Sequence, residues 1–308
     1  MAEQQAAPSA IQNQTLRSML LMFGATFLFA AMHGSIRHVT ATLHPFEIAF
    51  FRNLFGLVFV LPWFLRYGLA PLRTQHFGLH LWRTAFNVVA MLTFFYALSI
   101  TPLSQVTALG FTAPIFATLL AALVLGEVMR LRRWSAIFIG FLGTLIILRP
   151  GFEAITLGQL LTLTSAITWS CALLIIKTLS RTDSSVTIIT YMVLLMIPLS
   201  FVPAVFVWQW PSADELFWML LIGLLGGGAQ YGMTEALRLA DTAVVMPIDF
   251  CKMIWVTLIA YLAFGEIPDL FTWIGGGIVF ASTLYIAWRE RSLSKSPAAT
   301  PSALPSAE

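Results

Sequence analysis

The chain has 308 residues, of which 58% are hydrophobic and only 10% are charged, and its formal net charge is +3. Soluble proteins carry about 25% charged residues, and a soluble fold of this length would expose too much apolar surface to water. The composition therefore excludes a soluble globular protein, and the small net charge gives no indication of a nucleic-acid partner.

The chain contains ten apolar stretches, and a helix that crosses a bilayer needs about 20 mostly apolar residues. We therefore predict an all-α integral membrane protein with ten transmembrane helices. A cytoplasmic tail is expected over residues 1–15, and a disordered tail rich in Ser, Pro and Ala over 292–308. In chain order the predicted spans are 17–37, 45–65, 82–100, 103–125, 132–149, 156–178, 186–208, 214–237, 242–264 and 270–288.

Two parts of the chain repeat each other at a constant offset of 139 positions. Residues 97–145 match residues 236–284 without insertion, which indicates two copies of one unit. Each copy holds five spans, an odd number, so the second copy must cross the membrane in the opposite sense. We therefore predict two inverted five-helix repeats, over residues 16–150 and 151–291. Secondary transporters commonly have this architecture, with the substrate site between the repeats.

The basic residues favour one orientation of the chain. If the N-terminus is cytoplasmic, 13 of the 17 Lys and Arg residues fall in cytoplasmic segments. The outer loops carry acids instead, such as Asp214, Glu215 and Asp269. An excess of basic residues marks the cytoplasmic side. We therefore predict a multi-pass protein of the cell inner membrane with both termini in the cytoplasm.

Several motifs resemble those of a known membrane-protein superfamily. They are the Gly-Glu pairs that end the fourth span of each half (Gly126-Glu127 and Gly265-Glu266), HPFEIAFFR (His44 to Arg52), YALSITPLSQVTAL (Tyr96 to Leu109), FTAPIF (Phe111 to Phe116) and GFLGTLIILRPG (Gly140 to Gly151). With the ten-span pattern they cover residues 16–290 and resemble the drug/metabolite transporter superfamily, specifically its EamA-type carriers. The resemblance implies a ten-helix carrier for a small molecule.

The resemblance is specific for the fold and leaves the substrate open. The second-helix run and the segment joining helices 4 and 5 look most like the S-adenosylmethionine-uptake-type group. Riboflavin carriers and exporters of amino acids or other metabolites share much of the same pattern. The two halves also differ at matched positions, because Arg52 aligns with Tyr191 and Pro114 with Met253. We therefore expect one asymmetric substrate site.

Charged residues inside the spans are the first candidates for that site, because a charge at mid-membrane costs at least about 2.5–3.5 kcal/mol. Asp249 and Lys252 are three residues apart on the ninth span, next to the kink expected at Pro247. They form either a packing ion pair or a pair that binds a charged or zwitterionic solute. Arg52 on the second span either pairs with a carboxylate on a neighbouring helix or binds an anionic group of the substrate.

Aromatic side chains near mid-span are further substrate-binding candidates, with core packing as the alternative for most of them. Trp169 and Tyr191 are the strongest of these, and Tyr96 is a third. Two titratable residues are candidates for proton coupling. Glu235 either couples protons or forms an ordinary interfacial pair with Arg238 three residues later. His33 either titrates during transport or packs as a hydrogen-bonded residue.

The sequence favours a carrier over an enzyme or a channel. It has no metal-ligand cluster, nucleophile motif or nucleotide-binding loop, and its unequal helices lack the repeated polar ring of a channel. We predict a secondary active transporter that moves a small polar metabolite by alternating access. The preferred substrate is S-adenosylmethionine-like, nucleoside-like or zwitterionic. An exporter of amino acids or other metabolites and a riboflavin carrier are the alternatives.

The composition and the transporter-like pattern also predict the molecules that the protein binds. We expect a small-molecule substrate and membrane lipids, without a cofactor, metal or nucleic acid. A proton is the candidate coupling ion, and a homodimer is the candidate assembly.

Overall fold

The computed structural model describes residues 3–125, 131–149, 154–240 and 242–294. Within these ranges the chain forms twelve α-helices and one short 3₁₀-helix at Ala70–Leu72, with no β-strand. The helices are α1 (Glu3–Val39), α2 (Pro45–Tyr67), α3 (Phe77–Ile100), α4 (Leu103–Gly110), α5 (Ala113–Leu125), α6 (Leu131–Leu148), α7 (Leu157–Leu179), α8 (Ser185–Val205), α9 (Ala213–Leu239), α10 (Thr242–Asp249), α11 (Cys251–Phe264) and α12 (Leu270–Ser294). The predicted all-helical fold is confirmed for the described residues.

Helical structure extends into both predicted tails. α1 begins at Glu3, inside the tail expected over residues 1–15, because its first turns are rich in Ala and Gln, which favour helix. α12 continues to Ser294. Residues 295–308, and the repeated pair Gly126-Glu127, lie outside the described residues.

Eight helical segments in the described part of the chain are long and apolar enough to cross a membrane. They coincide with eight of the ten predicted spans, the fourth at Leu103–Leu120 and the ninth at Pro247–Phe264. The fifth and tenth predicted spans correspond to shorter apolar helices, Trp134–Leu148 and Leu270–Tyr285. The chain is therefore a multi-pass membrane protein.

The fourth and ninth predicted spans are each broken, whereas the sequence predicts a kink in the ninth alone, at Pro247. The first break, at Phe111 and Thr112, separates α4 from α5, and the second, at Phe250, separates α10 from α11. Pro114 at the start of α5 and Pro247 near the end of α10 lack the N–H that a continuous helix would use. The two breaks are 139 positions apart, which is the offset of the sequence repeat.

Helices from the two halves of the chain interleave. α1 packs against α9 and α3 against α7, while α2 contacts α8 and α6 contacts α12. The last contact is close because glycines face each other: a Cβ on Gly143 would lie 2.7 Å from the carbonyl oxygen of Gly275. The Ser282 hydroxyl donates to the Ala136 carbonyl in the same interface. This interleaving places the two broken helices beside α1, α3 and α7.

Candidate functional site

A central cavity lies between the two broken helices and α1, α2, α3, α7 and α9. It encloses about 1030 Å³ of space outside the protein atoms, part of which is open to solvent. Its wall is mainly apolar with a few polar groups, which is the usual composition of a small-molecule site. The aromatic residues of the wall are Phe29, Phe94, Phe95, Phe111 and Trp169, and the polar or charged ones are His33, Arg52, Asn87, Thr107, Ser165, Gln230, Asp249 and Lys252.

Asp249 and Lys252 lie on either side of the break at Phe250. The Nζ atom of Lys252 is 3.3 and 3.4 Å from the two carboxylate oxygens of Asp249. Both side chains keep some exposure, 21% for Asp249 and 17% for Lys252. The pair thus forms an ion pair and also lines the cavity, so the two roles considered from the sequence are compatible.

Lys252 also lies over aromatic rings. Its Nζ atom is 4.9 Å from the ring centre of Phe111 and 5.8 Å from that of Phe29. Cation–π contacts of this kind lower the cost of holding an ammonium group away from bulk water. Lys252 therefore has three neighbours that hold it at the cavity wall: one carboxylate and two rings.

Arg52 reaches the cavity from α2 and is buried. Its Nη1 donates to the side chain of Asn53 over 2.9 Å, whereas its Nε is buried without a hydrogen-bond partner among the described residues. The guanidinium rests against α9 where there is no side chain, since a Cβ on Gly226 would lie 2.9 Å from Nε and 3.0 Å from Nη2. Among the described residues no carboxylate pairs with Arg52, so the structural ion pair considered from the sequence is not seen there.

His33 and Gln230 contribute two more buried polar atoms to the wall. The His33 ring centre is 4.8 Å from that of Phe94, and its Nδ1 has no hydrogen-bond partner in the described part of the chain. Gln230 on α9 is 3% exposed, and its Oε1 is also without a partner there. Both residues thus bring a buried polar atom without a partner among the described residues to the wall of the cavity.

Sequence reasoning missed four polar wall residues, Gln230, Asn87, Ser165 and Thr107. Asn87 donates to the Met196 sulfur over 3.2 Å, and Ser165 donates to the Ala90 carbonyl over 2.8 Å. Each is an uncharged polar side chain inside an apolar span. That is the signal that could have identified them, because a buried polar group without a partner is costly.

The cavity includes Trp169 but does not include Tyr191 or Tyr96. Tyr191 lies elsewhere because its hydroxyl donates to the Leu72 carbonyl over 2.8 Å and its ring stacks on His80 at 4.5 Å. Tyr96 lies against the start of α2, with its ring centre 5.9 Å from that of His44. The expectation that these two tyrosines line the pocket is corrected by these contacts.

Glu235 also lies outside the cavity. The Arg238 guanidinium donates to both of its carboxylate oxygens, over 2.8 and 2.5 Å, and the Ser185 hydroxyl donates over 2.7 Å. These contacts tie α9 to the start of α8. Glu235 and Arg238 therefore form the interfacial ion pair that the sequence analysis considered as the alternative to proton coupling.

A polar cluster joins the loop before α8 to the start of α3. The Asp183 carboxylate lies 2.8 Å from Nε2 of His80 and accepts from the Thr74 hydroxyl over 2.6 Å. Burial alone would raise the pKa of Asp183, but these hydrogen bonds outweigh it and hold the pKa below its usual range. Asp183 is therefore ionised and structural at neutral pH.

A second cluster joins the end of α1 to the segment after α11. Arg37 pairs with Glu266 over 3.1 Å and donates to the Leu98 carbonyl over 2.7 Å. The other carboxylate oxygen of Glu266 accepts from the backbone N–H of Leu103, in the first turn of α4. The carbonyl of Leu237, which lies 139 positions after Leu98, accepts a hydrogen bond from Lys177 over 3.0 Å.

Two stretches of the chain, residues 16–149 and 156–288, match the sequence model of the EamA-like transporter family. The chain is 32% identical over 292 residues to a protein named riboflavin transporter from Vibrio cholerae, with 93% of this chain and 98% of the relative covered. It is 34% identical over 251 residues to a riboflavin transporter from Rhizobium johnstonii, with coverage of 81% and 83%.

An S-adenosylmethionine uptake transporter from Rickettsia bellii is 28% identical over 255 residues, with 83% of this chain and 88% of the relative covered. A solved crystal structure with 17% sequence identity superposes with a TM-score of 0.66 and covers 91% of this chain and 99% of its own. At that identity the structural likeness concerns the fold alone.

Proposed function

The chain belongs to the EamA-like transporter family, and from this premise we propose that it is a secondary active transporter for a flat, polar heteroaromatic metabolite, with riboflavin as the first candidate. Its named relatives are transporters and not enzymes. The observation that carries the substrate class is the cavity wall, where five aromatic side chains surround a small set of polar groups. Aromatic side chains bind planar rings by offset stacking.

The charge of the wall favours riboflavin over S-adenosylmethionine. Among the described wall residues, Arg52 and Lys252 are cationic and Asp249 is anionic, so the wall is net positive. S-adenosylmethionine carries a sulfonium and an ammonium against one carboxylate, whereas the riboflavin ring system and ribityl chain are uncharged at neutral pH. Like charges in a desolvated site repel each other strongly. The preference for the S-adenosylmethionine group drawn from the motifs therefore becomes the second candidate.

The two halves, residues 16–150 and 151–291, are in this proposal inverted five-helix repeats that rock about the central cavity. Three features support it: the breaks at Phe111 and Phe250, the matched bonds to the Leu98 and Leu237 carbonyls, and the two stretches that match the family. The distribution of basic residues supports an inner-membrane location with both termini in the cytoplasm. Alternating access at the interface of such repeats moves a solute without a large soluble domain.

His33 is the residue that we propose for proton coupling. It lines the cavity, and its Nδ1 has no hydrogen-bond partner among the described residues. Glu235 is less suited to the role, because its carboxylate is already held by Arg238 and Ser185.

Counterflow in proteoliposomes tests the proposed function. Vesicles preloaded with riboflavin should accumulate labelled riboflavin through the protein, and unlabelled S-adenosylmethionine should compete poorly. Asp249→Asn should reduce this exchange by about tenfold or more, which corresponds to 1.4 kcal/mol, because it leaves Lys252 unpaired at the cavity wall.

The matched control is Asp269→Asn. Asp269 pairs with Arg149 over 2.8 Å, but its side chain is 40% exposed and it does not line the cavity. This variant should exchange riboflavin at the unmodified rate. Exchange of S-adenosylmethionine without exchange of riboflavin would replace the first candidate by the second. Absence of exchange for both, in protein shown to be folded, would contradict the proposal.

A further inference from the structure

Arg52 and Gln230 line the same cavity, and each has one buried polar atom that no described residue pairs with. The Nε–H of Arg52 and the Oε1 of Gln230 are both buried, and neither has a hydrogen-bond partner among the described residues. Both side chains line the cavity. A buried donor or acceptor left unpaired costs about 1–3 kcal/mol, so a donor and an acceptor left open together indicate a ligand that pairs with both.

Arg52 contacts the face of α9 on which Gln230 lies. The Arg52 guanidinium rests on α9 at Gly226, where a Cβ would lie 2.9 Å from its Nε. Gln230 is four residues further along α9 and therefore on the same face, one turn away. Helical side chains lean towards the N-terminus, so the Gln230 amide covers the turn that holds Gly226. Gly226, against which the Arg52 guanidinium rests, and Gln230 therefore occupy neighbouring positions on the same face of α9.

We propose that Arg52 and Gln230 together recognise the lactam edge of the transported ring. The Nε–H of Arg52 donates to the lactam carbonyl oxygen, and the Oε1 of Gln230 accepts from the adjacent ring N–H. This inference rests on the proposed function and adds the chemical group that fixes the orientation of the substrate. A flavin ring carries such an edge, a C=O next to an N–H, on its pyrimidine-dione part.

The same geometry disfavours an anionic group at this position. A carboxylate or phosphate has acceptors only and would place one oxygen against the Oε1 of Gln230. A lactam satisfies both protein groups and brings no charge that needs a counter-ion. The cation of Arg52 strengthens the bond to the carbonyl, because hydrogen bonds from charged donors are stronger than neutral ones.

Binding of riboflavin and of N3-methylriboflavin to the detergent-solubilised, unmodified protein tests this inference. The methyl group removes the ring N–H while the rest of the ring is kept, and the flavin fluorescence reports both affinities. We expect the methylated ligand to bind about 10- to 100-fold more weakly, as for loss of one buried hydrogen bond. Equal affinities for the two ligands would overturn the inference and leave the proposed function intact.

Variants of Gln230 assign the effect to this residue. Gln230→Leu should weaken riboflavin binding by a similar factor and bring the ratio of the two affinities close to one, because the acceptor for the N–H is gone. Gln230→Glu keeps an acceptor and should preserve a preference for riboflavin. A Gln230→Leu protein that still discriminates between the ligands would also overturn the inference.

Gln159→Leu is the matched control. Gln159 is buried like Gln230, but it belongs to the capping box of α7 and does not line the cavity. This variant should retain the full affinity ratio even if its melting temperature falls. If riboflavin fails to bind the unmodified protein while S-adenosylmethionine binds, the proposed first substrate and the lactam inference both fail. That result differs from equal binding of the two flavins.

Discussion

The rings of Phe111 and Phe250 stack on each other with their centres 4.4 Å apart and their planes inclined by 25°. The two residues are 139 positions apart in the sequence, and each lies at the break of its helix. The proposed inverted repeats would relate these two residues by a pseudo-two-fold axis, and residues next to such an axis meet each other. The stacked pair therefore lies at the contact between the two broken helices, and Phe111 also lies beneath the Lys252 ammonium group.

The loss of unfolding free energy on replacing both stacked rings should be smaller than the sum of the losses from the two single replacements. Phe111→Leu and Phe250→Leu each lose the ring-to-ring contact, so the double variant loses it only once. We expect a coupling free energy of about 0.5–1.5 kcal/mol, the range for aromatic pairs. Unfolding of the four proteins in the same detergent measures it. A cycle that pairs Phe111→Leu with Phe217→Leu should be additive, because Phe217 contacts Trp218 and not this stack.

Much of the fold and part of the site could be predicted from the sequence. Apolar stretches predicted the helices, and the three-residue spacing of Asp249 and Lys252 predicted that their side chains pair next to a kink. Such arguments work because they concern residues near each other along one helix. The same three-residue spacing predicted the ion pair between Glu235 and Arg238, which the structure contains.

Contacts between distant helices could not be predicted in this way. Tyr191 bonds to Leu72, which is 119 residues away along the chain, and no local spacing indicates that pairing. A kink was expected at Pro247, close to the break at Phe250. The break at Phe111 was missed because the residues around it are as apolar as those of a continuous span. Gln230 was missed because its importance depends on what lies opposite it on α2.

The close contact between Arg52 and α9 makes Gly226 a specific requirement of the site. Gly226→Ala would place a Cβ 2.9 Å from Nε of Arg52 and 2.9 Å from the Met32 sulfur, so the guanidinium must move. We expect riboflavin exchange to fall about tenfold or more, as for loss of a charged hydrogen bond. Counterflow on the purified variant measures this.

Gly277→Ala is the control for that substitution. Gly277 is also a helical glycine, but a Cβ there meets nothing within 4 Å. Alanine in a helix interior is more stable than glycine by about 0.5–1 kcal/mol, so the melting temperature should rise slightly and exchange should stay unchanged. Equal losses of riboflavin exchange in the two variants would contradict the role of Gly226 in positioning the Arg52 guanidinium.

The low pKa of Asp183 predicts a particular dependence of stability on pH. Because the folded state holds the pKa below its ordinary value of about 3.9, ionised Asp183 stabilises the fold above that value. The contribution is lost as the pH falls through the folded pKa. Asp183→Asn should therefore lower the melting temperature at pH 7, and the difference from the unmodified protein should vanish in strong acid.

Thermal unfolding in detergent between pH 7 and about pH 3, the acid side of the ordinary aspartate pKa, measures this difference. Thr74→Val is the companion variant, since it removes the hydroxyl that donates to Asp183 and leaves the carboxylate in place. In Thr74→Val the acid-induced decrease in melting temperature should be smaller than in the unmodified protein, but it should still be present. A difference between Asp183→Asn and the unmodified protein that stays constant across the pH range would contradict the role assigned to the carboxylate.

Glu266 has two separable functions, a charge partner for Arg37 and an acceptor for the backbone N–H of Leu103. Glu266→Gln keeps an acceptor but loses the charge, whereas Glu266→Ala loses both. The ion pair is partly exposed, with side-chain exposures of 24% and 18%, so its own contribution should be about 1 kcal/mol or less. The loss of a helix-terminal acceptor typically costs about 1 kcal/mol.

We therefore expect Glu266→Ala to lower the melting temperature clearly more than Glu266→Gln does. Thermal unfolding of the two variants ranks them. Equal decreases in melting temperature would mean that the ion pair with Arg37 provides the stabilisation, and not the hydrogen bond from the Leu103 N–H at the start of α4.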